Sequence, residues 1–192
     1  MTPEERAGVV GIDPSLTSTG LAHIDFEGNV TELYNLGRKG RRGEPLEERA
    51  ERVYTLAQEI IEWTLAIETP QLVVIEAPSF GSQGGSAFDR AGVWWRVVGN
   101  LWAMGIPVAQ VAPRTRAKYG TGDGRSDKKV VKAHVIETYT DILPSRIRND
   151  DQADALLLAS MGARHLGMPI EPAGLPERNL EAMEAVVWPL AL

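Results

Sequence analysis

VVGIDPSLTSTGLAHIDFEGNVTELYNL, residues 9–36, holds three short apolar runs separated by turn chemistry, and its reading decides the fold. Val9 to Ile12 reads as a buried strand ending at Asp13-Pro14, since proline lacks a ladder donor and restricts the residue before it. Gly20 to Phe26 reads as a second strand, Gly28-Asn29 as a turn, and Val30 to Leu36 as a third strand. Links this short pair strands antiparallel, because a parallel pair needs a crossover of roughly a dozen residues or more. The stretch therefore predicts an antiparallel meander.

Outward from it, Pro45 opens an amphipathic helix over 45–68, with Leu46, Ala50, Val53, Leu56, Ala57, Ile60, Ile61 and Ile67 at three- and four-residue steps. Leu72 to Ile75 is the next strand, ending at Glu76, and Pro78 to Ser86 is a loop of Gly and Ser. A helix over 87–104 and a strand over Ile106 to Val111 follow. A loop, Tyr119 to Ser126, then leads into a helix from Asp127 to Tyr139 with Ser126 as N-cap. A last core helix spans Asp150 to Leu166. Three hairpin strands followed by alternating helix and strand predict an α/β fold. Its mixed five-stranded sheet joins the meander of strands 1–3 to parallel strands, with helices on both faces. The division expected is one domain over 1–166 and an acidic tail over 167–192 carrying a short helix near 179–187.

With 192 residues, 43% hydrophobic and 24% charged, the chain suits one globular core. It has no cysteine, which excludes disulfides and thiolate metal sites. No signal peptide and no run of about 20 apolar residues is evident, so a cytoplasmic protein without membrane association is expected. The net charge of −6 argues against a nucleic-acid partner until its distribution is examined. Residues 114–132 carry Arg114, Arg116, Lys118, Arg125, Lys128, Lys129 and Lys132 against Asp123 and Asp127, a local +5. Arg38, Lys39, Arg41 and Arg42 add +4 within five positions. Such patches bind phosphate even on an acidic protein, because salt screens charges beyond about 10 Å. Solvated loops are the plainer reading of both.

Asp13 and Glu76 each end a strand, where α/β sheets build sites. Asp151 and Asp154, three apart at a helix start, face one way. Each acid also has a structural reading: a turn before proline, a strand end, a carboxylate favouring the helix dipole. Gathered at about 5 Å with an effective dielectric near 20, each pair would repel by roughly 3 kcal/mol. Hard divalent cations remove that penalty, and magnesium and manganese prefer carboxylate oxygen.

At these residues the chain resembles the RuvC-type Holliday-junction resolvases. GIDPSLTSTGLAHI (Gly11 to Ile24) is similar to that family's opening strand and turn, and VVIEAPSF (Val73 to Phe80) to its glutamate-bearing strand. GTGDGRSDKK (Gly120 to Lys129) is similar to its Gly-x-Gly loop, and DDQADALLLA (Asp150 to Ala159) to its terminal Asp-x-x-Asp helix. The resemblance implies an RNase H-like fold and a structure-specific endodeoxyribonuclease cutting Holliday junctions, with forks and flaps as further substrates. It assigns metal-ligand and catalytic roles to Asp13, Glu76, Asp151 and Asp154, holding two Mg²⁺ ions with Mn²⁺ able to substitute. Lys128 contacts phosphate by the same resemblance, and Lys118 falls one position from a family lysine. The aromatic usual three residues after the glutamate stands at four, as Phe80, among the expected DNA contacts. The helix over 87–104 matches the family's dimer helix, and Trp94, Trp95 and Trp102 cannot share one face, so a homodimer is expected. No nucleotide cofactor is expected: an actin-like ATPase would need two such domains, and no Walker loop is present. A junction binder without catalysis would gain by losing acids beside phosphates.

Overall fold

The structure is a computed structural model that describes residues 6–78 and 85–189. Strands β1 (Val9–Asp13), β2 (Thr19–Ile24) and β3 (Val30–Leu36) form the meander, followed by α1 (Leu46–Ala66) and β4 (Leu72–Glu76). Helix α2 (Gly85–Ala103), β5 (Val108–Val111), α3 (Pro113–Thr121), α4 (Lys128–Tyr139) and α5 (Asp150–His165) complete the body. One sheet runs β3-β2-β1-β4-β5, with β1 antiparallel to β2 and parallel to β4, and β4 parallel to β5. The expected mixed five-stranded sheet is present.

Alternation along the strands divides the interior into two layers. Val10, Ile12, Leu21, Val73 and Ile75 pack with Leu56 and Ile60 of α1 and Val93 and Val97 of α2. Val9, Ala22, Ile24, Val74 and Val111 pack on the other side with the Ala155–Ala159 stretch of α5. Glycine makes that second layer close. A Cβ on Gly11 would overlap the Ala155 carbonyl, and one on Gly20 would overlap the backbone of Asp151. Gly11 and Gly20 thus let α5 lie directly on β1 and β2, with its N-terminus beside the end of β1.

Two details differ from the sequence expectation. Helix α3 was not foreseen; Pro113 stands at its start, where a missing N–H is harmless, and Gly122 closes it at φ 80°. Asp127, not Ser126, caps α4, accepting from the Lys129 and Val130 N–H groups at 2.9 and 3.0 Å. A carboxylate gains from the helix dipole where a hydroxyl does not, and the Ser126 hydroxyl pairs with that of Thr121 instead. The C-terminal segment packs onto the body: a short helix α6 (Glu177–Leu180) and a 3₁₀ turn (Glu181–Ala185) lie on α3. Ile170, Ala182 and Val186 join the core layer of α5. Among the described residues no helix is long and apolar enough to cross a membrane.

Candidate active site

Beyond Asp13 the chain must turn back at once into β2, and Thr19 staples the turn. Its hydroxyl donates to the Ser15 carbonyl at 2.6 Å and accepts from the Ser15 N–H at 3.0 Å. Parallel pairing of β1 and β4 brings the ends of both strands to one edge, so Asp13 and Glu76 become neighbours. The Trp94 indole N–H fixes the end of β4 by donating to the Glu76 backbone carbonyl at 2.9 Å. Asn149 caps α5 through the Gln152 N–H, which sets Asp151 in the first turn and Asp154 one turn on. Asp13, Glu76 and Asp151 line a cleft of about 410 Å³ together with Pro14, Ser15, Trp94, Arg116 and Lys128.

Electrostatics bind the fourth acid to this cleft. Burial pushes the Asp13 carboxyl well above its usual range, and the charges of Glu76, Asp154 and Asp151 push the same way against Arg116. Burial also raises Asp154 to about 6, outweighing the opposing Arg116. Arg116 is buried, its Nε donating to Glu76 Oε2 at 2.5 Å and its Nη1 to Asp154 Oδ1. Asp154 Oδ2 is buried without a hydrogen-bond partner. Asp151 accepts from the Ser18 hydroxyl at 2.6 Å, and Ser18 in turn receives the amides of Asn35 and Asn149, each at 3.2 Å.

The donor set suits a hard divalent cation: carboxylate oxygens alone, one orphaned, two raised in pKa by burial and by neighbouring acids. Among the described residues no three acid or histidine side chains already form a cage. Among the described residues the Arg116 guanidinium is the buried cation that pairs with them, while Lys128 and Arg90 line the cleft wall.

The basic residues divide. Arg38, Lys39, Arg41, Arg42, Arg114, Arg125, Lys128 and Lys129 are exposed. Lys39, Arg41 and Arg42 line a groove with Leu16 and Thr17, just past the Ser15 rim of the acidic cleft. Arg38 is paired with Glu59, Arg41 with Glu48, and Lys118 with Glu181 of the C-terminal segment at 2.6 Å. Arg116 departs from the expected basic track. Without a helix expected over 113–121, Arg114, Arg116 and Lys118 read as equivalent bases. In helix α3, Arg116 is turned inward while Arg114 points to solvent. Phe80 lies outside the described residues. Sequence reading also missed Ser18, whose only signal is a hydroxyl-rich turn between two strands, and the capping contact of Trp94. Trp94 is buried, whereas Trp95 and Trp102 are 67% and 79% exposed, so the three do divide between faces.

A family model described as crossover junction endodeoxyribonuclease RuvC matches residues 9–161. A protein of that name from Pseudarthrobacter chlorophenolicus is 31% identical, the match covering 83% of this chain and 81% of its relative. One from Neorickettsia sennetsu is 26% identical, over 81% and 92% respectively. The fold is similar to that of Thermus thermophilus RuvC in complex with Holliday junction substrate, with TM-score 0.64 and 23% identity over 85% of this chain and 98% of that one.

Proposed function

The chain belongs to the RuvC family of crossover junction endodeoxyribonucleases, and from that premise we propose that it cuts branched DNA, four-way junctions above all, in a magnesium-dependent reaction. The observation that carries the reading is the convergence of Asp13, Glu76 and Asp151 on one cleft, with Asp154 buried against it. Divalent ions held there would supply an activated water and stabilise the leaving oxygen of a phosphodiester. The protein's own part is to hold and orient. β1 and β4 offer Asp13 and Glu76 from a rigid sheet, α5 offers Asp151 and Asp154, and Ser18 fixes the Asp151 carboxylate by its 2.6 Å hydrogen bond. Lys128 on the cleft wall meets a phosphate oxygen, and the groove of Lys39, Arg41 and Arg42 carries the backbone beyond it. Arg114, Arg125 and Lys129 serve the same phosphate track.

Symmetric cutting of a four-way junction requires two sites, and helix α2 offers the surface. Phe88, Trp95 and Trp102 are exposed and seven residues apart, which sets them on one stripe of the helix. Aromatic stripes of this kind suit an interface between two copies of the chain.

The test is cleavage of a labelled four-way junction, a fork, a flap and linear duplex, in magnesium, manganese, calcium and EDTA. Paired nicks in the junction with magnesium or manganese are expected, and binding without cutting in calcium, whose longer bonds misplace the attacking water. Equal cutting of linear duplex would reject branch specificity, and cutting in EDTA would reject the metal mechanism.

A further inference from the structure

Arg116 is a buried guanidinium joined to the two carboxylates of greatest interest, Glu76 from β4 and Asp154 from α5. It reaches them from α3, and its side chain is only 7% exposed. A guanidinium bridging Glu76 Oε2 and Asp154 Oδ1 repels a divalent ion drawn to the same two carboxylates, so the two cations compete for them. One charge of +1 also under-compensates four acids, and Asp154 Oδ2 stays unpartnered beside it. We propose that Arg116 is an internal stand-in for the metal: it holds the acidic cluster together in the metal-free protein and must release at least one carboxylate before a divalent ion binds. It thereby sets the ion concentration at which the cleft loads. Arg116 is a positioning residue, acting through Glu76 and Asp154. The proposal rests on the metal-dependent reading above.

The prediction is read without DNA and without turnover. Mn²⁺ binding is followed by electron paramagnetic resonance on the wild-type protein, Arg116→Gln and Arg116→Lys. Arg116→Gln is expected to bind about tenfold tighter, the scale on which neighbours of a metal site tune affinity, with Arg116→Lys between the two. Saturating Mn²⁺ should raise the melting temperature of Arg116→Gln more than that of wild type, since the variant begins without an internal counter-ion. A second measurement uses only the wild-type protein, whatever the folding of the variants. The ¹⁵N resonance of the Arg116 Nε–H should shift as Ca²⁺ is added and the guanidinium leaves Glu76. Unchanged or weaker Mn²⁺ affinity in Arg116→Gln, or an unmoved Nε–H signal while backbone amides of the cleft report Ca²⁺ binding, overturns the proposal and leaves the metal reading standing. Binding of no divalent ion by any of the three proteins overturns both.

Discussion

Two buried carboxylate sites, each with one arginine, lie towards the two ends of α5, and they are built on contrary terms. Beneath the C-terminal segment, Glu171 accepts hydrogen bonds from the hydroxyls of Tyr119, Tyr139 and Ser160 and from Arg164. Burial would raise its carboxyl, yet these bonds win and hold it below the usual range. At the other site, Arg116 pairs with only Glu76 and Asp154 of four acids, one oxygen of Asp154 has no partner, and both Asp13 and Asp154 are held high. A satisfied network rigidifies a core, whereas one left under-compensated is stable only on condition that something else completes it. The first cluster is cement. The second is a socket.

The contrast can be broken by mutation. Glu171→Ala strands Arg164 and removes the acceptor of three hydroxyls, so a loss of about 3 kcal/mol is expected. In a chain of this size that is a fall in melting temperature of roughly 6–12 °C. Asp13→Asn should act oppositely in metal-free buffer, stabilising by about 1 kcal/mol because a repelling charge is removed from the cluster. Calorimetry of both variants in EDTA checks the pair of signs, and destabilisation of similar size in both would erase the distinction. The acid limb of stability sharpens it further. A carboxyl lowered in the folded state contributes stability above its ordinary value of 4.5, lost as pH falls through the folded value. The gap in melting temperature between wild type and Glu171→Gln should therefore narrow steadily below pH 4.5. A constant gap would place the role of Glu171 in packing rather than charge.

Smaller effects belong to the rim. Lys128 lines the acidic cleft and Lys129 follows it, both exposed. Neutralising the two should lower the log–log salt slope of junction binding by about one to two units, near 0.9 per phosphate released. Branch preference should persist, since phosphate contacts position DNA without specifying it. Slopes unchanged from wild type would take the first turn of α4 off the DNA path.

The socket was more legible in the sequence than the cement. Asp13 and Glu76 each interrupt an apolar run, and Asp151 and Asp154 share one helix face, so local pattern alone singles them out. The sheet was legible for the same reason: short links dictate antiparallel strands, and period-two burial follows. Arg116 was misread because α3 has little apolar periodicity, and in a basic stretch nothing local shows which arginine turns inward. Glu171 was invisible as well. It sits among prolines in an acidic segment, and its four partners come from α3, α4 and α5, joined only by tertiary packing. Sequence pattern reports what one element does with its own faces, and it is silent on side chains satisfied across elements.

The deciding measurement is single-turnover nicking of a labelled four-way junction in magnesium by wild type and Asp154→Asn, with junction binding measured in calcium alongside. Cutting by the wild type, abolished by EDTA, is expected, with a loss of more than about 100-fold in Asp154→Asn, above the range seen for mere neighbours of a metal. Binding should be as tight as wild type or tighter, because a charge facing phosphates is removed. Full cutting by Asp154→Asn would contradict the proposed role of this carboxylate cluster.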